Sequence, residues 1–200
     1  MKRVWTLVCV FLMVLMVGGT VFAAANDNAR FVALLEKANE YKGLEMTGEV
    51  VVFGFPIDMK VLQKGLKTKN ITEVMGTGYI MSDGTDAYSW FSTDKSGEVI
   101  KGGGPAQSIG VDYNDPKYSF TFMGTSTVNG FECEKYAVKS GTATAGVIFL
   151  STQYGVIIKS VVNDMEQSVK TIKEVELSDE EFVAPSNMKF VEVKAFSMPM

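Results

Sequence analysis

From Leu44 onward the chain is cut by turn residues into short alternating runs, and this spacing constrains the fold more than any other feature. The run 44–55 alternates over its first half, with Glu45, Thr47 and Glu49 on its polar side. Pro56 then calls for a turn or an edge, because it has no N–H for a ladder. Runs follow at 57–66, 71–81 and 85–91, the last two flanking the hairpin signal Asp83-Gly84. The run 118–123 puts Tyr118, Phe120 and Phe122 on one face, and Asn129-Gly130 turns the chain into 131–138. Runs at 147–150, 154–162, 165–176 and 189–195 complete the series. Ser178-Asp179-Glu180-Glu181 reads as a capping box for one short helical turn ended by Pro185. About nine to eleven strands in sequential hairpins point to an antiparallel meander and against a parallel α/β sheet.

One helix precedes them. Phe31, Leu34, Leu35, Ala38 and Tyr41 recur at helical spacing, which predicts a helix over 28–42. Asn26, Asp27 and Asn28 are candidate N-caps, and Gly43 stands where a C′ glycine belongs. A single apolar stripe needs a sheet to lie on. The expected fold is mainly β with one helix (α+β): a strongly curved antiparallel meander sheet, an open half-barrel, with the N-terminal helix packed on its concave face.

Residues 1–25 read as a secretory signal: Lys2 and Arg3, then an uncharged apolar run, then small residues at Ala23, Ala24 and Ala25. The expected mature domain is 26–200, released near Ala23–Ala25 into the periplasm or the extracellular space. Leu7-Val8-Cys9 lacks the small residue that a lipid-attachment site needs and lies too early. Two of the 19 basic residues leave with the leader, so against 23 acidic ones the remainder is net −6. An acidic chain with no basic run is not built for nucleic acid.

The composition also narrows the chemistry. Histidine is absent, which removes the usual general base, the Ser-His-Asp triad and the commonest metal ligand. Cys133 is the one cysteine after the leader, so no internal disulfide can form, and it reads as a small apolar strand residue. Gly102-Gly103-Gly104 lacks the Lys-Ser/Thr of a phosphate loop, so 101–108 is expected to be a loop. Asp112-Tyr113-Asn114-Asp115 lacks the glycine and terminal glutamate of a calcium loop. Asn70-Ile71-Thr72 matches a glycosylation acceptor. Glu132 and Glu134 share a strand face that is expected to be solvated. No catalysis, cofactor or metal is expected.

What stands out is apolar and soft. Nine of the 12 methionines follow the leader, and aromatics share strand faces. Methionine adapts to irregular apolar shapes. The candidate cavity lining is Met59, Tyr79, Met81, Tyr88, Trp90, Phe120 and Phe122, with a packed core as the competing reading.

Three stretches, together with the leader and the opening helix, resemble the LolA/LolB-like superfamily of lipoprotein-sorting proteins. They are Tyr79-Ile80-Met81-Ser82-Asp83-Gly84-Thr85-Asp86-Ala87-Tyr88, Val128-Asn129-Gly130-Phe131-Glu132-Cys133-Glu134-Lys135-Tyr136, and Phe182-Val183-Ala184-Pro185-Ser186-Asn187-Met188-Lys189. The likeness spans most of the mature chain and lies in order and pattern. It implies an open barrel with a helical lid over an apolar cavity, and transient binding of acyl chains of lipoproteins or lipids. LolA proteins hold the lid with an arginine near the cavity. The one arginine after the leader is Arg30, at the start of the helix, and it does not match that role. The resemblance is therefore to the superfamily, and its expected function is a non-catalytic acyl-chain carrier with a transient envelope membrane partner. A regulatory sensor of the same fold and a ligand-free structural protein are the alternatives.

Overall fold

The computed structural model describes residues 26–193 apart from 53, 74–75, 104–116, 142 and 163–164. The leader, Met75, the Asp112–Asp115 stretch, the rest of the glycine loop beyond Gly103 and the end of the last predicted strand lie outside the described residues.

The chain opens with helix α1 (Asn26–Glu36), tightened at its end into a 3-10 turn over Lys37–Glu40. Twelve strands follow: β1 (Leu44–Val52), β2 (Phe55–Lys64), β3 (Lys67–Glu73), β4 (Thr77–Ser82), β5 (Ala87–Phe91), β6 (Ser96–Ile100), β7 (Tyr118–Val128), β8 (Phe131–Ser140), β9 (Ala143–Ser151), β10 (Ile157–Val162), β11 (Met165–Glu174) and β12 (Lys189–Glu192). A second 3-10 turn, Asp179–Phe182, precedes β12. All twelve form one strongly curved open sheet, ordered β12-β6-β5-β4-β3-β2-β1-β11-β10-β9-β8-β7.

The meander is thus two meanders joined. β1 to β6 run in sequence, as do β7 to β11, and antiparallel β1 and β11 make the seam. β12 is the exception to antiparallel pairing, because it lies parallel to β6. Neither departure is visible in turn spacing, which specifies neighbours along the chain only. The predicted strand 71–81 is the tail of β3 and all of β4 but Ser82. β3 reads Lys-Thr-Lys-Asn-Ile-Thr-Glu, too polar for an apolar alternation to reveal. β6, Ser-Gly-Glu-Val-Ile, is hidden from the sequence pattern for the same reason.

Turn chemistry holds where it is specific. Asn129 and Gly130 have φ of 52° and 84° and close the β7–β8 hairpin between the paired Val128 and Phe131. Asp83 Oδ1 accepts the N–H groups of Thr85 and Asp86, making the β4–β5 loop longer than two residues. Pro56 sits inside β2 opposite Val51, and β3 pairs with β2 only from Met59, so the proline occupies a local edge. Gly43 is not a left-handed cap. A Cβ there would lie 2.8 Å from the Val175 carbonyl oxygen, so close approach is what requires glycine. Ser178 makes no side-chain capping bond.

Alternation divides the apolar residues between two faces. Leu44, Met46, Val50, Met59, Val61 and Ile80 join Phe31, Leu34, Leu35 and Ala38 in the main core, on the inner face. Their neighbours Leu62, Met81 and Trp90 belong to a second cluster with Phe182 on the outer face.

Candidate functional site

α1 is fixed to the β7–β10 end of the sheet at both of its ends. At the N-terminal end Asp27 and Asn28, expected as N-caps, lie inside the helix and bond to the sheet. Asn28 Oδ1 accepts the Phe120 N–H at 2.8 Å and Asp27 Oδ2 the Phe122 N–H at 3.2 Å. Both donors belong to edge strand β7, so the helix covers backbone groups that a bare edge would offer to another chain. At the other end Lys37 Nζ donates to the Thr152 carbonyl and the Tyr41 hydroxyl to that of Gln153. Gly155 lets this contact form. Its φ is +66°, and a Cβ would sit 2.3 Å from the Leu34 carbonyl oxygen.

Between these ties lies a polar clamp. Arg30 Nε and Nη2 donate to the two oxygens of Glu134 on β8, at 2.9 and 2.7 Å. The Tyr136 hydroxyl donates to the same carboxylate. The guanidinium also lies 4.1 Å from the Phe122 ring centroid. The pair is asymmetric in exposure: the Arg30 side chain is 50% exposed and that of Glu134 12%. The Arg30 hydrogen bonds hold the Glu134 carboxyl below the usual carboxylate range, against the opposing effect of burial. Burial, reinforced by Glu134, drives the Tyr136 hydroxyl far above its ordinary value. Glu134 is therefore not on a solvated face, as the sequence suggested. Glu132 is, where it accepts a bond from Thr127.

Beneath the clamp, Phe31 stacks on Phe120 with ring centroids 4.1 Å apart and meets Tyr136 edge-on at 5.0 Å. Cys133 is buried in the same core. Its thiol is pushed up to about 11 by burial, which leaves it protonated and unreactive.

The seven residues expected to line one cavity do not share a face. Met59, Phe120 and Phe122 belong to the inner core with α1. Tyr79, Met81, Tyr88 and Trp90 lie on the outer face beneath the segment 177–190. Tyr79 stacks on Trp90 at 5.0 Å, and Phe190 meets Tyr88 and Trp90 edge-on. That segment is strapped down by Lys64 and Lys67 on Asp179 and by Lys69 on Glu181. These four aromatic and methionine side chains fill a packed layer. The sequence cannot distinguish the two faces, because alternation fixes parity within each strand and leaves the register between strands open.

Sequence reasoning also misses the buried polar residues of β2 and β3. Gln63, Thr68 and Asn70 are buried there. Asn70 in particular is inaccessible as a glycosylation acceptor. Among the described residues no cluster of His, Cys, Asp or Glu could hold a metal ion, and no helix is long and apolar enough to cross a membrane.

No family model matches the sequence, and no curated protein does. Solved structures share the fold. An uncharacterized conserved protein from Thermus thermophilus superposes with a TM-score of 0.61 at 10% identity, over 82% of this chain and 98% of that one. MucB superposes with a TM-score of 0.52 at 10% identity, over 83% of this chain and 66% of that one. MucB in the Pseudomonas aeruginosa MucA/MucB complex gives 0.52 at 12% identity, over 84% and 64%. The chain thus spans about two thirds of MucB. The half-barrel and its N-terminal helix are the fold that the sequence resemblance implied.

Proposed function

We propose that this is an exported, non-catalytic envelope protein that binds acyl chains of lipoproteins or lipids on the inner face of its sheet. The observation that carries this reading is the attachment of the helix. α1 is tied to the β7–β10 end of an open sheet, and its central polar fastening is a part-buried ion pair. A lid so fixed covers one end of an inner face that continues across β1 to β5. The burial of each ligand methylene contributes about 0.8 kcal/mol, so a modest length of acyl chain suffices for micromolar affinity once the cost of association is met.

Native mass spectrometry of protein gently extracted from an exporting host, followed by thermal shift of the delipidated protein with a palmitoylated lipopeptide, tests the reading. A co-purifying lipid mass and a saturable rise in melting temperature are expected. An empty protein that no acylated ligand stabilises at excess overturns it. Trp90 is a poor reporter, since it sits on the outer face.

A second reading is supported by MucB, whose structure with MucA is of a partner complex. On that reading the same fold signals through an envelope partner, and crosslinking in intact cells would capture a protein even from lipid-free material.

A further inference from the structure

The inner face of β1 to β5 is neutral and partly polar. Paired residues form three rows across it: Leu44–Gln63–Thr68–Ser82–Ala87, Met46–Val61–Asn70–Ile80–Ser89 and Gly48–Met59–Thr72–Gly78–Phe91. No member is charged, and the first charge along these rows beyond β5 is Glu98 on β6. Within them Gln63 is 1% exposed, Asn70 1% and Thr68 0%. Yet Gln63 Nε2 and Oε1, Asn70 Nδ2 and Oδ1, and Thr68 Oγ1 have no hydrogen-bond partner. Gln167 Nε2, on β11 across the seam, is unpaired as well.

Leaving a buried primary amide without a partner is costly, and folded proteins satisfy nearly all such groups. Here two amides and a hydroxyl stand buried and unpaired on two adjacent strands. Each amide offers one kind of atom that donates and one that accepts. A hydrocarbon chain would leave all of them unmade. A carboxylate or phosphate would bring a charge to rows that hold no cation. An ester can accept but not donate. A ligand amide does both and is neutral.

We propose that this face receives an acyl chain joined through an amide, with Gln63, Asn70 and Thr68 hydrogen-bonding to that linkage while Met46, Met59, Val61 and Ile80 hold the chain. This specificity rests on the acyl-binding reading above and names the chemical class within it.

Three probes with one chain length separate the possibilities: oleamide, methyl oleate and oleate, titrated into the delipidated full-length protein by calorimetry. Oleamide is expected to bind about tenfold or more tightly than methyl oleate, the effect of one added buried hydrogen bond. Oleate is expected to bind weakest of the three. In the double variant Gln63→Leu, Asn70→Leu the preference for oleamide should vanish while methyl oleate binding persists. The variant should melt no lower than the parent, because it removes unpaired polar groups. Thr68→Val is a milder variant expected to reduce the preference in part. Equal affinity for the three probes, or a preference that survives the double substitution, overturns the proposal and leaves acyl binding standing. Failure of all three to bind overturns both.

Discussion

At the scale of single residues, the Arg30–Glu134 pair is the ion pair that helps to hold α1 on the sheet. Arg30→Ala would leave a nearly buried carboxylate with Tyr136 as its remaining donor, a costly state for a charge. The expected outcome is a lower melting temperature together with faster hydrogen exchange at amides 31–38. Acid should act at the same place. Because Glu134 titrates below its ordinary value in the folded protein, its contribution is complete above that value of 4.5 and is lost as pH falls through the folded pKa. Protection of α1 should therefore decline on acidification below about 4.5 in the parent, and more shallowly in Arg30→Ala, where the largest cause of the depression is gone. Exchange rates confined to α1 are the right readout, since Glu45, Asp86 and Asp179 are also held low by lysines elsewhere. An α1 whose exchange ignores both pH and the substitution would mean that the apolar stripe holds it alone.

At the scale of elements, the outer-face strap is a structural fixture. Phe182 is 2% exposed between Leu62, Met81 and Trp90. Phe182→Ala should cost about 3–5 kcal/mol by cavity formation, measured by urea unfolding. If the strap instead moves freely, the loss will be well under 1 kcal/mol, the level of a surface change. The elements also show what the sequence could reveal. The stripe Phe31, Leu34, Leu35 and Ala38 is readable because a helix packs with a period that its own residues determine. The Asn129-Gly130 turn is readable because few residue pairs adopt its backbone. β3 is not readable, because its inward residues Thr68, Asn70 and Thr72 are polar. Nor is the division of Tyr79, Met81, Tyr88 and Trp90 from Met59, because register arises between strands distant in the chain. Arg30 stands out in the sequence without a role, since its partner lies 104 residues away.

At the scale of the whole molecule, the two meanders are joined by β1 against β11, a pairing that includes the Thr47–Thr171 hydroxyl contact between residues 124 apart. Such non-local pairing makes folding slow, on the order of milliseconds to seconds or longer. A chain ended after β10 should lose cooperative unfolding, because β1 would have no second neighbour and the inner core would open along its middle. Urea titration followed by circular dichroism checks this. A sharp transition in the shortened chain would show that the β1–β6 half folds independently. The seam also sets a clock on synthesis. At roughly 5–20 residues per second, β1 leaves the ribosome on the order of ten seconds before β11 exists. Through that interval Leu44, Met46 and Val50 sit on a strand with a bare edge, so the growing chain needs a shield that the finished protein does not.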